Sequence, residues 1–403
     1  MASTTQDQLA RRSLYTRLSL FYFFYYGALG VFVPYWTVYL KEEGGFSAAE
    51  IGELMAVFML TKMMSPFLWG WLTDLAGSRM KMVRLACLLT IPFCATVYVS
   101  DSYWRMMLAI FTFSFFWNAS MPQFEALTLN HLGKESSRYS QIRLWGSIGF
   151  VVLTLLVPVL IEKSGPGRIV DAILVTFVLL WVVAWFVPDK ASVEKEESQR
   201  TLWSVVKQPA VWVFLLACML QTASHGAYYN FFSIYLDDHD YSRLFTGWMW
   251  ALGVTSEVVL FIFLHRLIPV VGASRLFIIA LLLTVVRWFM LGGLVDSIAA
   301  LILGQILHAA TFGLFHATAI HLIHHYFTGR LQGRGQALYV VLNAGLGGAI
   351  GGLLSGYAWD GMGSEMTFYV SAIIAAVAGL LSWLFVKDNL ETNKRSYLCW
   401  PRS

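Results

Sequence analysis

Charge is scarce in this sequence: Asp, Glu, Lys and Arg make up 13% of the 403 residues, against 58% that are apolar or aromatic. An ordinary soluble domain is about one quarter charged, so this ratio excludes a water-soluble globule. Cysteine is also rare. The four present (Cys87, Cys94, Cys218 and Cys399) are scattered, with no CxxC or Cys/His ligand spacing, which excludes a zinc or redox framework. His321, His324 and His325 cluster near one helix end without a carboxylate or thiol beside them, so no metal site is expected there. There is no phosphate-binding loop and no nucleophile triad, which argues against an ATP-driven pump or an enzyme and leaves no cofactor to expect. The glycine run from Gly345 to Gly352 has no strand before it and lies inside an apolar stretch, where small residues four apart permit close helix contact instead. Asn118-Ala-Ser120 fits a glycosylation sequon but is placed inside a span.

What the chain does have is apolar runs of roughly twenty residues, each enough to cross a ~30 Å hydrocarbon core. They fall near 18–40, 48–72, 83–99, 106–129, 143–161, 169–187, 210–236, 244–264, 275–293, 299–323, 336–358 and 367–386. The expectation is an all-α membrane protein with twelve transmembrane helices in two pseudo-symmetric six-helix bundles. Residues 1–187 form the first bundle, 188–208 a hydrophilic cytoplasmic linker, and 209–403 the second. Lys and Arg set the orientation: connectors on the N-terminal side carry twenty, and the opposite ones only Lys41, Arg105, Lys163, Arg168 and Arg243. Both termini are therefore expected inside, and the net charge of +4 belongs to inner loops and does not point to nucleic acid. The polar, basic first seventeen residues show no cleavage site for a signal peptide. Ser47-Ala-Ala-Glu50 reads as a capping box opening the second span.

At an offset of about 195 residues, Phe46-Ser47 and Gly52 match Tyr241-Ser242 and Gly247, and Gly77 matches Gly272. Two such repeats place a solute site between them near the midplane. Five charged residues fall inside spans rather than at their ends, Lys62, Glu125, Arg143, Glu257 and Arg287, with Arg143 the closest to a boundary. Charge at depth is costly, so each is a functional candidate, with a structural ion pair or a snorkelling side chain as the bland reading. Glu125 and Arg143 stand nine residues either side of Lys134, about 13 Å from the turn if helical, and share a level. Glu257, Arg287 and His308 share another, and the repeat offset maps Lys62 onto Glu257. Three cations against two anions leave a surplus that an anionic solute would neutralise. Gln221 and His225 lie one helical turn apart and Gln305 is also embedded, while Tyr25, Tyr228 and Phe150 are aromatics that can stack on a planar solute or serve only as packing.

The segment Gly70-Trp-Leu-Thr-Asp74-Leu75-Ala-Gly77-Ser-Arg79 resembles the signature loop of the major facilitator superfamily, with Leu75 where an Arg is usual. Pro122-Gln-Phe-Glu125, Tyr139-Ser-Gln-Ile-Arg143, His225-Gly-Ala-Tyr-Tyr229, Leu252 to Glu257, Val286-Arg287-Trp288 and Gln305-Ile-Leu-His308 are similar to the branch that holds lactose permease and the 3-phenylpropionate permeases. The resemblance implies a conformational gate at Gly70, Asp74, Gly77 and Arg79, with Asp74 capping a helix. It implies solute binding by Glu125 and Arg143 and proton coupling through Glu257, Arg287 and His308. The proton-carrying glutamate of lactose permease falls at Thr311, and His225 and Gln305 replace an Asp/Lys pair, so Glu257 takes the proton role, with Glu125 second. The expectation is then a proton-coupled importer of the bacterial inner membrane, monomeric, whose partners are protons, the lipid bilayer and a small molecule. An aromatic carboxylate would be held by Lys62 and Arg143 between Tyr25, Phe150 and Tyr228. A galactoside symporter is the alternative, and a non-transporting receptor the alternative of another class.

Overall fold

The structure, a computed structural model, describes residues 5–190 and 202–386. The middle of the expected linker (191–201) and the basic tail after 386, with Cys399, lie outside the described residues. Every described secondary element is helical. We label the long helices α1 (Thr5–Glu42), α2 (Ala48–Ala76), α3 (Arg79–Val99), α4 (Tyr103–Leu132), α5 (Tyr139–Ser164) and α6 (Arg168–Phe186). After a short turn of helix at Leu202–Val206 come α7 (Pro209–Asp237), α8 (Arg243–Val271), α9 (Ala273–Gly293), α10 (Ile298–Tyr326), α11 (Gln332–Met362) and α12 (Ser364–Phe385). Each of the twelve expected apolar runs falls on one of these helices, within a residue at the ends. Eleven are long and apolar enough to cross a membrane. Helix α4, which carries Asn118, Gln123 and Glu125, is as long at 30 residues but less apolar.

Local sequence explains the helix ends. Ser47 and Glu50 form the capping box at the start of α2, and Gly77, at φ 64°, ends it in the left-handed conformation that glycine adopts without strain. Ser78 and Ser297 cap α3 and α10. Three helices are interrupted in mid-course. Helix α7 breaks at His225, α10 carries a π-helical segment at Ala309–Leu314, and α11 carries another at Val341–Gly347.

The chain divides into two compact units. The first holds α1 to α6 together with Gly226–Ala251 and Gly352–Gly361; the second holds α7 as far as His225, Leu252–Gly351 and α12. In the first unit an aromatic core of Phe32, Trp36, Phe58, Phe113 and Trp117 fills the interior. Helices α1 and α5 pack backbone to backbone: a Cβ on Gly30 would meet the Phe150 carbonyl oxygen at 2.4 Å, and one on Gly149 the Phe23 carbonyl oxygen at 2.1 Å. The start of α2 is held from far along the chain. Asp360 accepts from the Ala48 and Ala49 amides at 3.2 and 2.8 Å, and Glu53 accepts from the hydroxyls of Tyr103 and Tyr357. Nearby, Gly52 would touch Gly352 O at 2.5 Å if it bore a Cβ, and Gly356 Cα at 2.9 Å. Lys41 pairs with Asp238 at 2.6 Å and Arg243 with Glu42 at 2.7 Å. The second unit packs around Phe214, Phe277 and Phe315.

Candidate functional site

The embedded charges fall into two groups, one in each unit. In the first unit α2 supplies Lys62, half-buried, with its ammonium 4.8 Å from the centre of the Phe58 ring. Helix α5 supplies Arg143, whose guanidinium lies 3.6 Å from the centre of the Tyr26 ring on α1. Neither cation has a carboxylate within 4 Å among the described residues. Cation–π contact compensates only part of the hydration a buried cation gives up, so both retain attraction for an anion. Gly146 makes the arrangement possible: a Cβ there would stand 2.6 Å from Tyr26 Cδ2 and 2.8 Å from Arg143 Nη1.

Glu125 accepts a hydrogen bond from the Tyr139 hydroxyl and makes no ion pair with Arg143 within 4 Å. The hairpin symmetry that puts Glu125 and Arg143 at one level fixes depth but not direction around each helix. Tyr139, one turn ahead of Arg143 on α5, takes the glutamate, and Tyr26 takes the arginine. Tyr25 is buried at 6% exposure, 5.8 Å from Trp117 ring to ring. Phe150 is half-buried, with its backbone against Gly30. Tyr228 is fully buried and packs on Trp250 at 4.6 Å and Phe232 at 5.0 Å, where it serves the core of the unit.

The gate residues also lie in the first unit. Gly77 ends α2, and Gly70 leaves the space in which Gln123 of α4 approaches. Arg79 donates from Nη1 to Gln123 Oε1 at 3.0 Å. Asp74 is exposed and caps no helix among the described residues. The adjoining N-terminus of α3 is held instead by Ser78 and by Asp189, which accepts from the Ser78 hydroxyl and from the Met80 amide at 3.2 Å. Nothing in the local sequence marks Asp189 for this role, since a cap brought from beyond the end of α6 has no spacing to read.

In the second unit Arg287 is fully buried. It donates from Nε to Gly304 O at 2.8 Å, from Nη1 to Thr311 Oγ1 at 3.1 Å and from Nη2 to Gln305 Oε1 at 3.5 Å, and lies over the Trp288 ring at 4.7 Å. Glu257 of α8 packs against the π segment of α10, its Cγ 2.9 Å from where a Gly313 Cβ would stand. Gly253, one turn earlier, leaves room for Gln305 and His308, whose atoms lie 3.2 and 3.3 Å from its Cβ position. His225 shares Nδ1 with the Gln221 carbonyl at 2.8 Å and stands edge-on to Trp288 at 4.7 Å. Glu257, Arg287, His308, His225 and Gln305 are thus gathered around one segment of α10. Two buried threonines of this cluster, Thr284 and Thr311, were outside the candidate set, and both are hydrogen-bonded to Gln221. Threonine in an apolar helix most often bonds its own backbone, so residue type alone marks neither Thr284 nor Thr311.

Comparison with known proteins matches residues 15–370 to the MFS_1 like family. The chain is 29% identical over 374 residues to the probable 3-phenylpropionic acid transporter of Escherichia coli (strain K12), covering 90% of this chain and 96% of that protein. It is 25% identical to the maltose permease of Geobacillus stearothermophilus, covering 91% and 93%. Among solved structures it resembles a mutant form of the nucleoside transporter NupG, with a TM-score of 0.83 at 15% identity over 93% of this chain and all of that one. These relatives are transporters and not enzymes. The chain is a multi-pass membrane protein of the MFS_1-like family, within the major facilitator superfamily.

Proposed function

We propose that the protein is a proton-coupled importer of a small aromatic carboxylate such as 3-phenylpropionate, working by alternating access in a bacterial inner membrane. Twelve spans in two six-helix bundles, α4 included, with both termini cytoplasmic and the chain monomeric, complete this reading. The observation that carries it is the pair of half-buried cations in the first unit, Lys62 on Phe58 and Arg143 on Tyr26, with no acid within 4 Å of either among the described residues. A phenyl ring joined to a carboxylate supplies what that arrangement lacks, an anion beside aromatic faces. A galactoside brings no charge to balance them. Glu125 is held by Tyr139, one turn before Arg143 on α5. Glu257, with Arg287 and His308, handles the proton, because a carboxylate in a low-dielectric cavity can take one up near neutrality. The 29% identity to the probable 3-phenylpropionic acid transporter supports the same substrate class.

The test is uptake of labelled 3-phenylpropionate into proteoliposomes with an alkaline interior. The expected result is accumulation above empty vesicles that a protonophore abolishes. Absence of uptake, with competition by maltose or a nucleoside for a bound probe, would reassign the substrate.

A further inference from the structure

In the second unit all three helix interruptions converge on one stretch of α7. Gln221 of that stretch donates from Nε2 to Thr284 Oγ1 at 2.7 Å and to Thr311 O, inside the α10 π segment, at 3.0 Å. Thr222 donates to Asn343, inside the α11 π segment. The Gln221 backbone carbonyl accepts from Ser224 at 2.7 Å and from His225 Nδ1 at 2.8 Å, at the point where α7 itself breaks. Since a carbonyl only accepts, this contact puts the proton of a neutral His225 on Nδ1.

Gln221 is 1% exposed. Its amide orientation follows from its partners: Thr311 O only accepts, and the Thr284 hydroxyl already donates to Ala280 O at 2.8 Å, so both must receive from the NH2 group. The amide oxygen is then buried without a hydrogen-bond partner among the described residues. A half-satisfied amide carries a cost in a buried site, and leucine would fill a similar volume but leave the Thr311 carbonyl without this donor, so packing alone does not explain the residue. Its geometry does. A π segment offsets the helix ladder by one residue, and such segments are common at functional sites. Here Gln221 holds the Thr311 carbonyl while Arg287 holds the same residue's hydroxyl, and Glu257 packs at Gly313 within the same segment.

We propose that Gln221 is a positioning residue for ion coupling: it pins the α10 π segment in the register that places Thr311, Arg287 and Glu257 together. This rests on the proton-coupled reading given above. Losing the donor releases the segment, and proton movement comes apart from solute movement while solute binding, in the other unit, is spared.

The experiment uses the full-length protein in proteoliposomes, with Gln221→Leu and Gln221→Glu beside the wild type. Two modes are measured with labelled 3-phenylpropionate: accumulation driven by a pH gradient, and exchange with unlabelled solute at equal pH on both sides. Gln221→Leu is expected to lower accumulation at least tenfold while exchange stays within threefold of wild type, and to flatten the pH profile of uptake. Gln221→Glu, neutral only when protonated, is expected to recover accumulation at acidic pH. Loss of both modes in equal measure in a protein that elutes as a sharp peak from size exclusion would overturn the proposal, as would wild-type accumulation in both variants. If Gln221→Leu does not fold, the acid-dependent recovery of Gln221→Glu decides. Wild-type protein that exchanges solute without responding to the gradient refutes the proton-coupled reading itself, an outcome recognisable before any variant is made.

Discussion

The seam between α1 and α5 offers a prediction that can be worked through from distances. In Gly149→Ala the new Cβ would stand 2.1 Å from the Phe23 carbonyl oxygen and 2.8 Å from its carbon. An ordinary C···O contact is about 3.3 Å, so the helices must part by about 1.2 Å. Both opposing atoms are main chain, and no rotamer change relieves the clash. Overpacking of this kind costs about 3 kcal/mol, the upper end for an added methyl group. That corresponds to a fall of about 6 to 12 °C in unfolding midpoint for a unit of this size. The same seam carries the Arg143–Tyr26 contact at 3.6 Å, and opening it moves the guanidinium away from its ring. Misplacing a binding group by about 1 Å is enough to raise half-saturation for uptake tenfold or more. Fluorescence-detected size exclusion after heating, together with uptake kinetics, measures both effects. Gly333→Ala is the control, because nothing among the described residues lies within 4 Å of its Cβ position, and its midpoint should hold or rise slightly. A Gly149→Ala protein that melts like wild type would refute the packing argument. One that melts early yet keeps wild-type half-saturation would separate the seam from the site.

Three further outcomes are expected. Lys62→Gln should raise half-saturation for 3-phenylpropionate about tenfold, since one charge at 4 Å in a medium of effective dielectric 20 contributes at most about 4 kcal/mol before desolvation is subtracted; the uncharged amide analogue, used as a competitor, should lose no affinity. Asp360→Ala removes the acceptor for two amides at the start of α2 and should cost about 1 to 2 kcal/mol, read as a midpoint lowered by several degrees. Arg243→Gln should shift the midpoint by less than about 4 °C, because the Arg243–Glu42 pair stays partly exposed, at 28% and 29%, and surface pairs contribute under about 1 kcal/mol.

Much of the helix layout was readable from hydropathy, because a lipid environment demands long apolar runs and the gaps between them are short. The start of α2 was readable too, since Ser47 and Glu50 meet within one turn. What escaped the sequence is whatever depends on azimuth or on distant partners. Equal distance from a turn placed Glu125 and Arg143 at one level, yet the glutamate turns to Tyr139 and the arginine to Tyr26. Asp360 and Asp189 reach helix starts from far along the chain, which no local pattern records. The π segments at Ala309–Leu314 and Val341–Gly347 contain no proline, so the usual sequence mark of a disturbed helix is missing from both. Gln221 was visible as a polar residue one turn from His225, but its bonds to α9 and α10 follow only from packing.

Where Gly52 meets Gly352 and Gly356, two main chains touch with no side chain between them. Most helix interfaces interlock through branched residues, and separating them frees some torsions and traps others. Where the glycines meet there are no side-chain torsions to set. Asp360 and Glu53 add hydrogen bonds beside this contact, and one added methyl at any of the three positions would act as a permanent wedge.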